Sequence, residues 1–231
     1  GYFSGSITHN EDFELVIPAL IRLFDAYPQL HLKIAGILDV PAALEPYKER
    51  VMTSGFVDWR ELPKAMVDCD IILAPLVDTI FNRAKSENKW LEAGLVKVPT
   101  VASQVGAFAE QVKDGETGLL VGADNDWYAA LDRLITDKTL RTQLGENAHK
   151  IATNDYSTVY TGYTLASFVR ERLARNIGFV LPSTDISGGV IVAVKHADIL
   201  RKAGWDVTLI DSVSKHALKQ AKKTYQYRSE L

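Results

Sequence analysis

The sequence has one cysteine and two methionines in 231 residues, no low-complexity tract and no evident internal repeat. A single cysteine excludes a disulfide within the chain and fits a reducing compartment, so a cytoplasmic location is expected. Cys69 sits at the edge of the apolar run VDCDIILAP and reads as a small core residue. No apolar run reaches 18 residues and no secretory leader pattern occurs, so no membrane-spanning helix is expected. Excess basic charge is missing as well. The net charge is −3, which argues against nucleic acid held by bulk electrostatics. The locally basic stretch KHALKQAKKTYQYR near the end reads as a solvated helix face. No histidine–cysteine cluster has ligand spacing, so no metal is expected.

What is present is a globular composition, 47% hydrophobic and 24% charged, enough apolar residue for a full core. Short apolar runs at Tyr2–Ser4, His31–Gly36, Val51–Ser54, Asp70–Pro75, Thr100–Ala102 and Gly118–Val121 read as strands. Each is apolar nearly throughout, as strands covered on both faces are. Phe13, Val16, Leu20, Leu23 or Phe24, and Tyr27 recur at helical spacing ahead of Pro28, marking one helix after the first strand. Alternating strands and helices predict an α/β fold, a doubly wound parallel sheet built of right-handed crossovers. Helical patterns then follow over Trp127–Thr136, Lys138–Thr153 and Val159–Ala174. After them the strand–helix grammar restarts: strand Ile177–Leu181, loop PSTDISGG, helix Val190–Ala203, strand Asp206–Asp211. The expected organisation is one complete domain over 1–157, a connecting helix over 158–175, and over 176–231 the incomplete start of a second Rossmann-like unit. A start at glycine rather than methionine suggests a piece of a longer polypeptide.

In open parallel sheets ligands bind beyond the carboxyl ends of the strands, where strand order reverses. The loops expected there carry the candidate residues. After the first strand, Gly5 and Ser6 let backbone approach a phosphate. His9 is a further donor there, and Asn10 or Asp12 can cap the helix. After the third strand, SGFVDWREL offers Phe56, Val57 and Leu62 as apolar lining for a flat base. After the fourth, FNRAKSENKWLEAG reads as one helix capped by Asn82 or Ser86. On it Lys85, Lys89 and Glu92 fall within about 60° of one another. Two cations at a helix start suit a diphosphate, and a carboxylate further in suits the paired hydroxyls of a ribose. A plain surface lysine–glutamate pair fits the same spacing. After the fifth strand, Gly106 opens a helix and DGETG makes a turn.

The succession of G-S, then SGFV, then EAG-x-x-K-V-P-T-V-A-S-x-x-G, then V-K-D-G-E-T-G-L-L-V resembles the donor-binding C-terminal domain of GT-B glycosyltransferases, of the retaining group 1 type with an E-x7-E motif. The resemblance covers about residues 1–157. It implies a glycosyltransferase that moves a sugar from a nucleotide-diphosphate-sugar to a glycan or glycoconjugate in polysaccharide biosynthesis, with no cofactor beyond that substrate. Glu92 matches the second glutamate of the motif, which holds the ribose in that family. The first falls at Ala84 and is absent, as is the basic pair usual after the first-strand glycine. Lys85 and Lys89 are positioned to replace that charge. The opening of the second unit resembles the start of a GT-B N-terminal domain; PSTDISGG lacks the G-x-G-x-x-G of a nicotinamide site. The acceptor, glycan or lipid-linked, would then be bound mainly outside this chain, the catalytic residues are left unassigned, and the bare edge of IGFVLP invites self-association through 176–231. Two alternatives stay open on the residues alone: a nucleotide-sugar epimerase of the same architecture, and a non-catalytic nucleotide-sugar-binding or scaffold domain.

Overall fold

The computed structural model describes residues 1–5, 9–122, 126–172, 176–181 and 188–211. The chain divides into two compact units, Gly1–Thr153 and Asn154–Leu231.

The first unit alternates strand and helix. It runs β1 (Tyr2–Ser4), α1 (Asn10–Glu14), α2 (Ile17–Ala26), β2 (Leu32–Gly36), a 3-10 helix (Ala42–Arg50), β3 (Val51–Ser54) and α3 (Leu62–Val67). Then come β4 (Ile72–Ala74), α4 (Ile80–Arg83), α5 (Asn88–Leu95), β5 (Thr100–Ser103), α6 (Gly106–Gln111), β6 (Leu119–Val121), α7 (Trp127–Thr136) and α8 (Lys138–Asn154). Every pairing is parallel, in the orders β1-β2-β3 and β4-β5-β6. The two trios meet through Gly1, whose nitrogen donates to Ile71 O at 2.6 Å and whose carbonyl accepts from Leu73 N at 2.9 Å. The strands therefore stand in the order 3-2-1-4-5-6, and the order reverses between β1 and β4. That reversal is where an open α/β sheet makes its crevice.

Side chains alternate across the sheet. Tyr2, Ile34, Leu73, Val101 and Leu119 join a core with Phe13, Leu20, Phe24, Leu131 and Leu134. On the other face Phe3, Ala35 and Ile72 pack with Met66, Ala93 and Val98. The expectation of strands covered on both faces fails at β3, where Met52, Thr53 and Ser54 are exposed, because β3 is an edge with a neighbour on one side only. The single expected helix after β1 is two. Pro18 sits in the first turn of α2 and has no N–H to continue the ladder, so the chain turns at Leu15–Val16. The predicted apolar positions Phe13, Val16, Leu20, Leu23 and Phe24 are nevertheless buried, and Tyr27 is partly buried. Gly145 of α8 lies so close to Lys97 that a Cβ there would stand 2.0 Å from the Lys97 carbonyl oxygen, which explains a glycine in the middle of a 17-residue helix.

The second unit holds α9 (Thr158–Arg172), β7 (Asn176–Leu181), α10 (Gly188–Lys202) and β8 (Asp206–Asp211). Its two strands are parallel, Ile177 opposite Val207, and Ala166, Val169, Ala197, Leu200, Trp205 and Val207 form its own core. The loop residues PSTDIS (182–187) and the basic stretch after Asp211 lie outside the described residues.

Candidate nucleotide site

The crevice between β1 and β4 is organised by a buried carboxylate. Asp12 lies in the first turn of α1 and is 1% exposed. Its Oδ1 accepts from Val77 N at 2.8 Å and Asn82 Nδ2 at 2.8 Å. Its Oδ2 accepts from His9 Nδ1 at 3.0 Å and Lys85 Nζ at 3.3 Å. Burial alone pushes the carboxyl up, but donation from Val77, His9 and Lys85 outweighs it and holds the carboxyl below its ordinary value. Asp12 is therefore charged at neutral pH.

Lys89 stands beside this cluster in the first turn of α5. The residue as a whole is partly buried, but its Nζ is fully buried, with no hydrogen-bond partner among the described residues. The ammonium lies 4.7 Å over the Tyr2 ring, a cation–π contact that offsets only part of the desolvation. Burial drives the Lys89 ammonium down to about 8, with Lys85 lowering it further while Asp12 and Glu92 oppose. Glu92, one turn along α5, is half-buried; burial raises its carboxyl and Lys89 counteracts. His9 is lowered by burial, then by Lys89 and Lys85, against the pull of Asp12.

Of the residues expected from sequence, His9, Asn82, Lys85 and Lys89 converge around Asp12 and Tyr2, and Glu92 adjoins Lys89. Gly5 is exposed, with open space around it. Ser6 lies outside the described residues. Val57 and Leu62 pack instead against the lower core of Phe3, Met66 and Ala93, beside α5 rather than around Asp12. The one expected helix over 81–94 is broken into α4, which ends at Arg83, and α5, which starts at Asn88. Neither expected cap forms. Thr79 caps α4 by accepting from Asn82 N at 3.1 Å, Asn82 turns its side chain to Asp12 and to Val77 O at 2.8 Å, and Ser86 is exposed. Lys85 thus stands on an irregular linker, not on a helix stripe. Asn10 does not cap α1 either; it donates to Asp39 at 2.7 Å.

Asp12 is the residue that sequence reasoning missed, since it was expected only as a cap. The available signal was a carboxylate four residues before Val16 on an otherwise apolar stripe.

Two depressions lie elsewhere. A cleft of about 760 Å³ bordered by Tyr27, His31, Lys33, Asp68 and Arg141 opens at the amino ends of the strands, the wrong end for a ligand in this architecture. A groove of about 550 Å³ runs past Pro18, Arg22, Leu76, Gln104 and Trp127. An Asp-x-Asp tripeptide, Asp68–Cys69–Asp70, borders the first cleft, and its carboxylates face Lys33 (3.5 Å) and Arg141 (3.2 Å). Among the described residues no group of three histidines, cysteines or carboxylates can hold a metal. No described helix is long and apolar enough to cross a membrane.

The model of the family "Glycosyl transferases group 1" matches residues 2–137. The chain belongs to this family. It is 28% identical over 183 residues to D-inositol 3-phosphate glycosyltransferase of Corynebacterium efficiens, covering 73% of this chain and 42% of that relative. It is 31% identical over 132 residues to the lipopolysaccharide core biosynthesis mannosyltransferase LpsB of Rhizobium meliloti, over 52% of this chain and 36% of the relative. The chain thus spans less than half the length of these curated relatives. Among solved structures it is similar to Anabaena HepE in complex with UDP, with a TM-score of 0.60 at 20% identity over 74% of this chain and 48% of that one. That likeness shows the fold, a Rossmann-like half of a GT-B architecture. The group 1 membership leaves the epimerase alternative without support.

Proposed function

We propose that residues 1–157 are the donor half of a metal-independent glycosyltransferase that takes its sugar from a nucleotide-diphosphate-sugar for glycan or glycoconjugate assembly. The observation that carries this reading is Lys89: a buried ammonium with no hydrogen-bond partner among the described residues, at the switch point, beside a second lysine. An unpaired buried cation costs several kcal/mol unless something anionic comes to meet it, and a diphosphate supplies that charge. Lys85 and Lys89 take the diphosphate with the backbone at Gly5 and Ser6. Glu92 accepts from the ribose hydroxyls, and Val57 and Leu62 border the base. The leaving diphosphate is stabilised by these fixed positive groups in place of a metal. Support comes from family membership, from relatives named as glycosyltransferases, and from a similar fold that binds UDP in HepE. The acceptor and the catalytic residues are assigned to parts of the enzyme outside this chain. The connecting helix proposed over 158–175, whose described part α9 shares the core of the second unit, leads into 176–231 as the opening of a following GT-B domain.

A calorimetric screen of UDP, GDP, TDP and CDP against the chain tests the reading. One base should bind, in the presence of EDTA as well as in its absence. Absence of binding to all four refutes it.

A further inference from the structure

Asp12 has no role in the donor contacts just described, yet every residue of the cluster leads to it. Its four partners come from separate places: His9 before α1, Val77 after β4, Asn82 on α4, and Lys85 on the linker to α5. They span 65 to 73 residues of sequence separation on the β4 side. Because Asp12 is 2% exposed at its side chain and both oxygens are occupied, a ligand does not reach the carboxylate itself. Its effect must pass through the groups it holds.

Lys85 is the group with most to lose. It stands on an irregular linker and carries a flexible four-carbon stem whose fixation costs rotamer entropy. Lys89 lies close enough to be lowered by it, so the two ammonium groups repel. Lys89 is held by its buried position; Lys85, at 21% exposure, keeps only a 5.3 Å contact with the exposed Phe81 ring, too weak to stop it swinging to water once its counter-charge is removed. Only one of its three donors is used on Asp12, which leaves the others for a phosphate. Resting on the donor reading above, we propose that Asp12 is a positioning residue of the nucleotide site: it holds Lys85 beside Lys89 so that two cations, not one, meet the two phosphates. Asn82 and Val77, bound to the other oxygen, fix the carboxylate in register between the two halves of the sheet.

The test is Asp12→Asn in the whole chain. Asparagine keeps an oxygen for Val77 and Asn82 but replaces the oxygen facing Lys85 and His9 by an NH2 that cannot accept. Affinities are measured for the nucleoside diphosphate that wild type prefers and for its monophosphate, in wild type, Asp12→Asn, Lys85→Met and the double variant. Loss of one charged hydrogen bond should raise the diphosphate Kd about tenfold and the monophosphate Kd less than about twofold. The double variant should be no weaker than Lys85→Met alone. Equal loss of both ligands would reduce Asp12 to a structural role, and unchanged or tighter diphosphate binding would overturn the proposal outright. If Asp12→Asn does not fold, Asp12→Glu, which keeps the charge but displaces it, must show the same selective loss. A wild type that binds no nucleotide refutes the donor reading and this assignment together; a wild type that binds, with variants of unaltered selectivity, refutes the Asp12 assignment alone.

Discussion

Replacing Lys89 by methionine separates what the side chain does for stability from what it does for binding. The fall of the ammonium from 10.5 to about 8 corresponds to about 3 kcal/mol of cost for keeping it charged in the folded chain. Below pH 8 the group is charged folded and unfolded, and the whole cost is present. Between about 8 and 10.5 the folded chain has released a proton that the unfolded chain retains, so wild-type stability rises with pH across that window and the cost is gone above it. Lys89→Met, of similar length and apolar, should therefore be more stable than wild type at pH 7, by up to about 3 kcal/mol. That advantage should close as pH approaches 10.5. Nucleotide affinity should move the other way, falling by about 1.5–3 kcal/mol for a lost charged hydrogen bond, or roughly 10- to 150-fold. Urea unfolding at several pH values and calorimetric titration measure both. A variant that is less stable than wild type, or that binds nucleotide as wild type does, would refute the reasoning. It would make Lys89 a packing residue.

The same shift has a consequence for binding. A bound diphosphate raises the Lys89 ammonium back towards its ordinary range, so nucleotide affinity should fall as pH rises above about 8, which titrations at pH 7 and pH 9 detect. Glu92→Ala should weaken nucleotide binding by about 1.5–3 kcal/mol, while a 2′,3′-dideoxy nucleotide should bind variant and wild type equally. Gly106→Ala should cost about 1–3 kcal/mol in denaturant unfolding, because Gly106 has φ +53 and an added Cβ would stand 2.7 Å from the Arg83 carbonyl oxygen. Ending the chain after Arg175 should leave nucleotide affinity unchanged, since every proposed donor contact lies before residue 93.

The sheet was legible because buried parallel strands are short apolar runs, and all six in the first unit fall within two residues of their expected bounds. What failed were the features set by neighbours rather than by local pattern. Val51–Ser54 reads as a covered strand but ends as an exposed edge, since no residue in it states which strands will flank it. Pro18 signals the break between α1 and α2 locally. The break before α5 is plainer in hindsight, with Ser86 and Asn88 flanking it. The polar stripe of Lys85, Lys89 and Glu92 pointed to the right crevice even though a continuous helix does not carry it. Asp12 could not be placed from sequence, because its partners Val77, Asn82 and Lys85 lie on the far side of the switch point. Only the tertiary fold brings a carboxylate from α1 against the loop after β4.

A crystal structure of the chain with its preferred nucleoside diphosphate tests the central claim most directly. The account predicts phosphate oxygens about 2.7–2.9 Å from Lys89 Nζ, with Lys85 still on Asp12 and reaching the second phosphate. Phosphates bound in the groove by Arg22, or at the amino ends of the strands by Lys33 and Arg141, with Lys89 still unpaired, would contradict it.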